Sequence, residues 1–185
     1  MVIDLVTGKQ FAKQAESEKY NNIKYDKLDC QAFVEKVLYD SGCRKSNGEA
    51  YNWKGSNSMW RNALMWKGTL EECKQAFGEI PVGAWVFNLK FDGREKERGY
   101  NDSEGNAYHV GIYVGNNSTR DSTRISGKRD GVGYRPLSEW NRIGLCKYLD
   151  YDESNKDNNG RRFSEIIDIF RALLDELERM VNNEN

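Results

Sequence analysis

The sequence predicts an α+β fold, and three observations carry that prediction. The segments before Pro81 have helical periodicity. The segments after it are short, rich in β-formers and read as strands. Apart from one long excursion, the breaks between those later segments are short and Gly- or Asn-containing, as in antiparallel hairpins, so helices come first and an antiparallel sheet second.

The elements follow in order. Residues 8–20 read as a helix with a modest apolar face, and 21–29 as a polar loop. From Cys30 the run CQAFVEKVLYDSG places Ala32, Phe33, Val34, Val37 and Leu38 at helical spacing. Asp29 stands where an N-cap belongs and Gly42 where a helix stops. A polar connection leads to a second helix expected over about 57–66, with Met59, Trp60, Leu64 and Trp66 on its apolar side. A third starts at Thr69, where Glu72 completes a capping-box pattern. Pro81-Val82-Gly83 is a turn, and AWVFNLKF after it a strand. Residues 92–107 form a charged, Gly-rich excursion, either a wall or lid over a cleft or a solvated hairpin loop. HVGIYVG is a second strand ending on the hairpin signal Gly115-Asn116-Asn117. Further strands are expected near 119–126, 132–136 and 143–149.

Residues 1–150 therefore form one domain, followed by a polar linker at 151–162 and an amphipathic helix at 163–182. Ile166, Phe170, Leu173, Leu177 and Met180 make a heptad-like stripe on that helix. The stripe spans barely two to three heptads, so packing back on the domain and forming an oligomer with another chain both stay open.

Composition limits the partners. Of 185 residues, 38% are hydrophobic and 31% charged, which is globular rather than disordered. Basic and acidic residues nearly balance, 28 against 29, so no nucleic-acid partner is expected. No charge-free apolar run approaches the roughly 18 residues of a membrane span, so no membrane partner is expected either. The N-terminus lacks the basic-apolar-small order of a signal peptide, which points to synthesis in the cytoplasm. The four cysteines, Cys30, Cys43, Cys73 and Cys146, form no CxxC pair and no disulfide framework, and with one histidine in the chain a zinc site is not expected.

Thiol catalysis needs a cysteine whose thiolate is favoured, a base in hydrogen-bond reach and a polar group that orients the base. A helix N-terminus favours the thiolate, and of the four cysteines only Cys30 stands at a predicted helix start. His109, at the start of a strand, is the one histidine that can serve as base. Spacing alone does not bring the two together.

The wording of these segments resembles the NlpC/P60 family of cell-wall cysteine peptidases. LDCQAFVEKVL is similar to the family's DCSGLV segment, IPVGAWVFN to its following strand, and HVGIYVGNN to its histidine strand, in family order over roughly residues 10–149. The resemblance implies a papain-like fold, with a catalytic helix packed on an antiparallel sheet. It implies Cys30 as nucleophile and His109 as general base. The third polar residue of the family matches Asp121, twelve positions after the histidine. A family tyrosine before the nucleophile matches Tyr20 or Tyr25, with Tyr20 the closer in spacing. Gln31-Ala32 replace the family's small Ser-Gly, and Ala84 its Asp. Trp53 and Trp60, in the region after the catalytic helix, are candidates for substrate contact, while Trp85 reads as core.

The implied substrate is the stem peptide of bacterial peptidoglycan, cut without a metal or organic cofactor. The absence of an export signal fits a phage- or prophage-delivered lysin or a tail-associated wall-degrading enzyme. An amidase or acyltransferase on the same scaffold, and a non-catalytic wall-binding or virion module, are the alternatives.

Overall fold

The computed structural model describes residues 6–151. The first helix, α1, spans Gly8–Ala15. Thr7 and Gln10 exchange side-chain-to-backbone hydrogen bonds at its start, a capping box, and Phe11, Ala12 and Ala15 are buried. The helix expected to reach residue 20 ends at Ala15, and Glu18–Tyr20 form a separate 3-10 turn. Tertiary contact overrides local continuity here: the buried Tyr20 hydroxyl donates to Asp40 at 2.8 Å and accepts from Gln14 at 3.0 Å.

The second helix, α2, spans Cys30–Asp40. Asp29 caps it, its carboxylate accepting from the Ala32 N–H at 2.8 Å. Phe33, Val34, Val37 and Leu38 form its buried face, and Gly42 ends it with φ +96°. Helix α3 is Ser56–Asn62, shorter than the expected 57–66. From Leu64 the chain extends instead, and Leu64–Gly68 is a strand, β1. Pairing with a strand some eighty residues later (Leu64↔Cys146, Gly68↔Ile143) outweighs the local helical spacing. Helix α4, Leu70–Phe77, starts on the expected Thr69–Glu72 capping box.

The remaining strands are β2 (Trp85–Lys90), β3 (Asn106–Gly115), β4 (Ser118–Ile125), β5 (Arg129–Pro136) and β6 (Arg142–Cys146). They form one six-stranded antiparallel sheet in the order β1-β6-β2-β3-β4-β5. Asn116 and Asn117 turn β3 into β4 with φ of +50° and +55°, the left-handed pair a tight hairpin needs. Helix α2 packs on β3 and β4, α1 on α2 and β3, and α3 on β3 and β1. Phe33, Trp85, Phe87, Ile112, Ile143 and Leu145 fill the core. The architecture is thus α+β, with four α-helices among the described residues. All belong to one compact unit, Met1–Asp150.

The charged excursion between β2 and β3 is tied down on one side. Arg61 of α3 holds Asp102 at 2.6 and 2.8 Å and the Gly105 carbonyl at 2.9 Å, and Tyr100 lies under its guanidinium. Among the described residues no helix is long and apolar enough to cross a membrane. All four cysteines are buried thiols. Apart from Tyr151, the expected linker at 151–162 and helix at 163–182 lie outside the described residues, and with them the oligomer question.

Candidate active site

Cys30 is the first residue of α2, so its backbone N–H has no acceptor within the helix and its side chain leaves the helix at the positive end of the dipole. Because α2 packs on β3 and β4, that end meets the face of the sheet carrying His109 and Asp121. His109 Nε2 and Asp121 Oδ2 are 2.7 Å apart, with Asp121 wholly buried and His109 7% exposed. The Cys30 side chain is the imidazole's other close polar neighbour, near enough to raise its proton affinity. Since Nε2 faces Asp121, Nδ1 is the nitrogen left for the thiol.

The electrostatics follow from these contacts. Burial lowers the proton affinity of His109, but hydrogen bonding and charge from Asp121 and Cys30 outweigh it, and the pKa is raised. Burial pushes the Asp121 carboxyl up, while His109, Arg129 and Arg135 pull it down and prevail. The two arginines are on β5. Arg129 Nη2 donates to Asp121 Oδ1 at 2.8 Å and Arg135 Nη2 to Oδ2 at 3.2 Å. A buried carboxylate is expensive unless paired, and three donors here meet it.

Trp140 completes the frame. Its indole stacks on the His109 ring at 5.1 Å with only 6° between planes. Its Nε1 donates to Thr119 Oγ1 at 2.8 Å, and the Arg135 guanidinium lies over its ring at 5.2 Å. Gly111 makes room, since a β-carbon there would come within 2.9 Å of the indole. Nothing in the sequence ties Arg129 or Arg135 to the site, and Trp140, one of five tryptophans that could line a groove, packs on the histidine instead. The two arginines are six positions apart on one strand, hence on one face, but which residue that face meets depends on the β4–β5 register (Asp121↔Gly133).

The structure separates the two candidate tyrosines. Tyr20, favoured by spacing, is engaged with Asp40 at the other end of α2. Ten residues of helix put that about 15 Å from Cys30. It is a core residue and not part of the site. Tyr25 is the neighbour of Cys30: burial first, then the Cys30 and Asp29 charges and a hydrogen bond with Cys30, raise its pKa to about 12. It therefore keeps its proton and can donate.

Trp60 is also corrected. It is 5% exposed, its ring packs edge-on against Phe87 at 5.2 Å, and it cannot line a groove. Trp53 is half-buried next to the first turn of α2. Its carbonyl accepts from Gln31 at 2.5 Å and its N–H donates to Glu35 at 2.7 Å, while its ring packs edge-on against Trp85.

A cavity of about 300 Å³ opens on the histidine, lined by Tyr25, Asn88, Tyr108, His109, Arg124 and Arg135 among others. The other three thiols stand at no helix start. Burial raises Cys43 to about 11 and Cys73 to about 12, and raises Cys146 as well. Among the described residues no three His, Cys, Asp or Glu side chains gather as metal ligands. Comparisons with protein-family models, with curated proteins and with solved structures found no match for this chain.

Proposed function

We propose that the chain is a cysteine peptidase that hydrolyses peptide bonds in the stem peptides of bacterial peptidoglycan. The observation that carries the chemistry is the buried line of Cys30, His109 and Asp121, with 2.7 Å between the last two and the thiol at a helix start. The substrate class rests on the resemblance of three segments to NlpC/P60 peptidases. A helix bearing the thiol, packed on an antiparallel sheet bearing the histidine, supports a papain-like fold of that kind.

In this reading His109 Nδ1 takes the thiol proton as Cys30 Sγ attacks the scissile carbonyl carbon. The oxyanion that forms accepts from the Cys30 N–H and the Tyr25 hydroxyl. As the C–N bond breaks, His109 returns its proton to the leaving amine, and a thioester remains on Cys30. Water then attacks the thioester, giving its proton to His109. The acid product leaves, and the proton goes back to sulfur. Asp121 stays ionised throughout and holds the ring.

The test is release of new amino groups from purified peptidoglycan, wild type against Cys30→Ala. Release by the wild type alone supports the reading, and mass spectrometry of the fragments then separates peptidase from amidase. No release from any of several wall types by folded protein overturns it.

A further inference from the structure

β2 is buried from Trp85 to Leu89, and Asn88 breaks that otherwise apolar run. It is 8% exposed, yet its side-chain amide makes no hydrogen bond among the described residues. A buried amide costs free energy until its donors and acceptor are met.

The place of this amide is well fixed. Asn88 stands directly opposite His109 in the β2–β3 pairing, so the two side chains leave the same face of the sheet with β-carbons roughly 5 Å apart. A bulge follows at once, because Leu89 already pairs with Ala107 and Tyr108 is left unpaired. The Asn141 amide grips both backbone groups of Leu89, accepting from its N–H and donating to its carbonyl, each at 2.9 Å. Asn88 lines the cavity of about 300 Å³ that opens on His109, together with Tyr25, Tyr108 and Thr123. Asp121 flanks the imidazole from β4 and is bound to it. Asn88 flanks it from β2, and its partner enters with the reaction.

We propose that Asn88 is a further catalytic residue, whose amide oxygen positions the water that hydrolyses the thioester on Cys30. The inference rests on the proposed hydrolase chemistry and concerns its second half. Once the amine product has left, the space beside His109 admits water through the cavity, which is roomy and polar enough to hold it. One O–H of that water points at His109 Nδ1 and the other at Asn88 Oδ1, which turns a lone pair towards the thioester carbon. Nδ1 takes the first proton as the C–O bond forms. The C–S bond breaks as the tetrahedral intermediate collapses, and sulfur regains the proton from Nδ1. Asn88 gains and loses no proton and keeps one hydrogen bond to the attacking oxygen. Acylation uses no water, so the amide acts on one half of the reaction only. Packing leaves no such kinetic mark.

The probe is p-nitrophenyl acetate, whose acyl group is small and requires no wall peptide. Full-length wild type and Asn88→Leu are acetylated on Cys30, and loss of the acetyl group is followed by rapid quench and intact mass, with Cys30→Ala as background. Acetylation proceeds at the same rate in both. Loss of the acetyl group is slower in Asn88→Leu by about tenfold, the scale of one hydrogen bond in the transition state. Hydroxylamine, a nucleophile that relies less on base assistance, takes a larger share of the acetyl group in the variant. Asn88→Leu keeps the wild-type melting temperature, since an apolar group of similar shape replaces an unpaired polar one. Asn88→Ala repeats the measurement should the leucine variant not fold. Equal deacylation in wild type and variant, acylation and deacylation slowed alike, or slower deacylation together with a shifted His109 titration overturns the role of Asn88. Release of amino groups from peptidoglycan by the wild type is scored separately. Wall cleavage with deacylation indifferent to Asn88 overturns the water position and leaves the hydrolase. Deacylation that depends on Asn88 without wall cleavage overturns the peptidoglycan substrate and leaves the water position.

Discussion

Burial of the His109 ring works against its protonated form, while the Asp121 carboxylate and the Cys30 thiol work for it, and the partners prevail. The chain has one histidine, so a single imidazole C–H resonance reports its titration. That resonance titrates above the free value of about 6.5 in the wild type and at lower pH in Asp121→Asn. An unshifted midpoint in the variant would remove Asp121 from the site. Trp140 acts at the same scale but through geometry. A flat indole on one face fixes the ring plane, so that Nε2 stays on Asp121 while Nδ1 stays on the thiol. Trp140→Leu is expected to lower kcat by about tenfold or more with KM little changed, while Trp140→Phe retains most of the rate. A loss confined to stability, with the histidine titration unmoved, would reduce Trp140 to packing. Cys30 and His109 are legible in the sequence because a helix start and a strand pattern are local features, whereas Asp121 is reached only through the family resemblance. The choice of tyrosine is legible in neither way. Tyr25 reaches Cys30 because its loop is tied to β5: its N–H donates to Asp130 at 3.2 Å, and Ile23 lies against Gly131, where any β-carbon would overlap its carbonyl. Those partners lie more than a hundred residues away in sequence, and no spacing rule sees them.

The element that matters most is α2, and its start and stop were both readable from single residues. Asp29 caps the first turn, so Asp29→Ala is expected to cost about 1 kcal/mol in denaturant unfolding. Phe33 lies wholly buried one turn in and meets the Tyr20 ring edge-on at 5.4 Å; Phe33→Ala is expected to cost about 3–5 kcal/mol. The difference between the two is the test. A cap loss as large as the core loss would mean that Asp29 carries some further duty beside Cys30. β1 shows where element-scale reading stops. Leu64, Met65 and Trp66 satisfy helix and strand patterns alike over so short a run, and what decides is the free edge of β6, which lies beyond any local window. The same holds for β5, whose existence was visible but whose register, and with it the arginine clamp on Asp121, was not.

Across the whole molecule the site joins distant parts of the chain through one buried charge. Asp121 links β4 to β5 through Arg129 and Arg135 and to β3 through His109, so its ionisation stabilises the sheet as well as the site. Its folded pKa is depressed, so that stabilisation is fully present above the unfolded value of about 3.9 and is lost as pH falls through the folded pKa. His109 has the opposite sign. Its folded pKa is raised, so its contribution is fully present below about 6.5 and is lost as pH rises through the folded pKa. The two together favour mildly acidic conditions, between the carboxylate and imidazole transitions. Urea unfolding across pH 3 to 9 should therefore show a wild-type decline at each end of that window. His109→Gln removes the alkaline-side decline that belongs to the imidazole and keeps the acid one. Asp121→Asn flattens the acid side and, at pH values above that transition, lowers stability by about 3–5 kcal/mol, because two half-buried arginines lose their buried partner. An acid limb that persists unchanged in Asp121→Asn would assign the transition to other carboxylates, with Asp40 the next to examine, since hydrogen bonds from Lys19, Tyr20 and Lys36 overcome its burial and depress its pKa too.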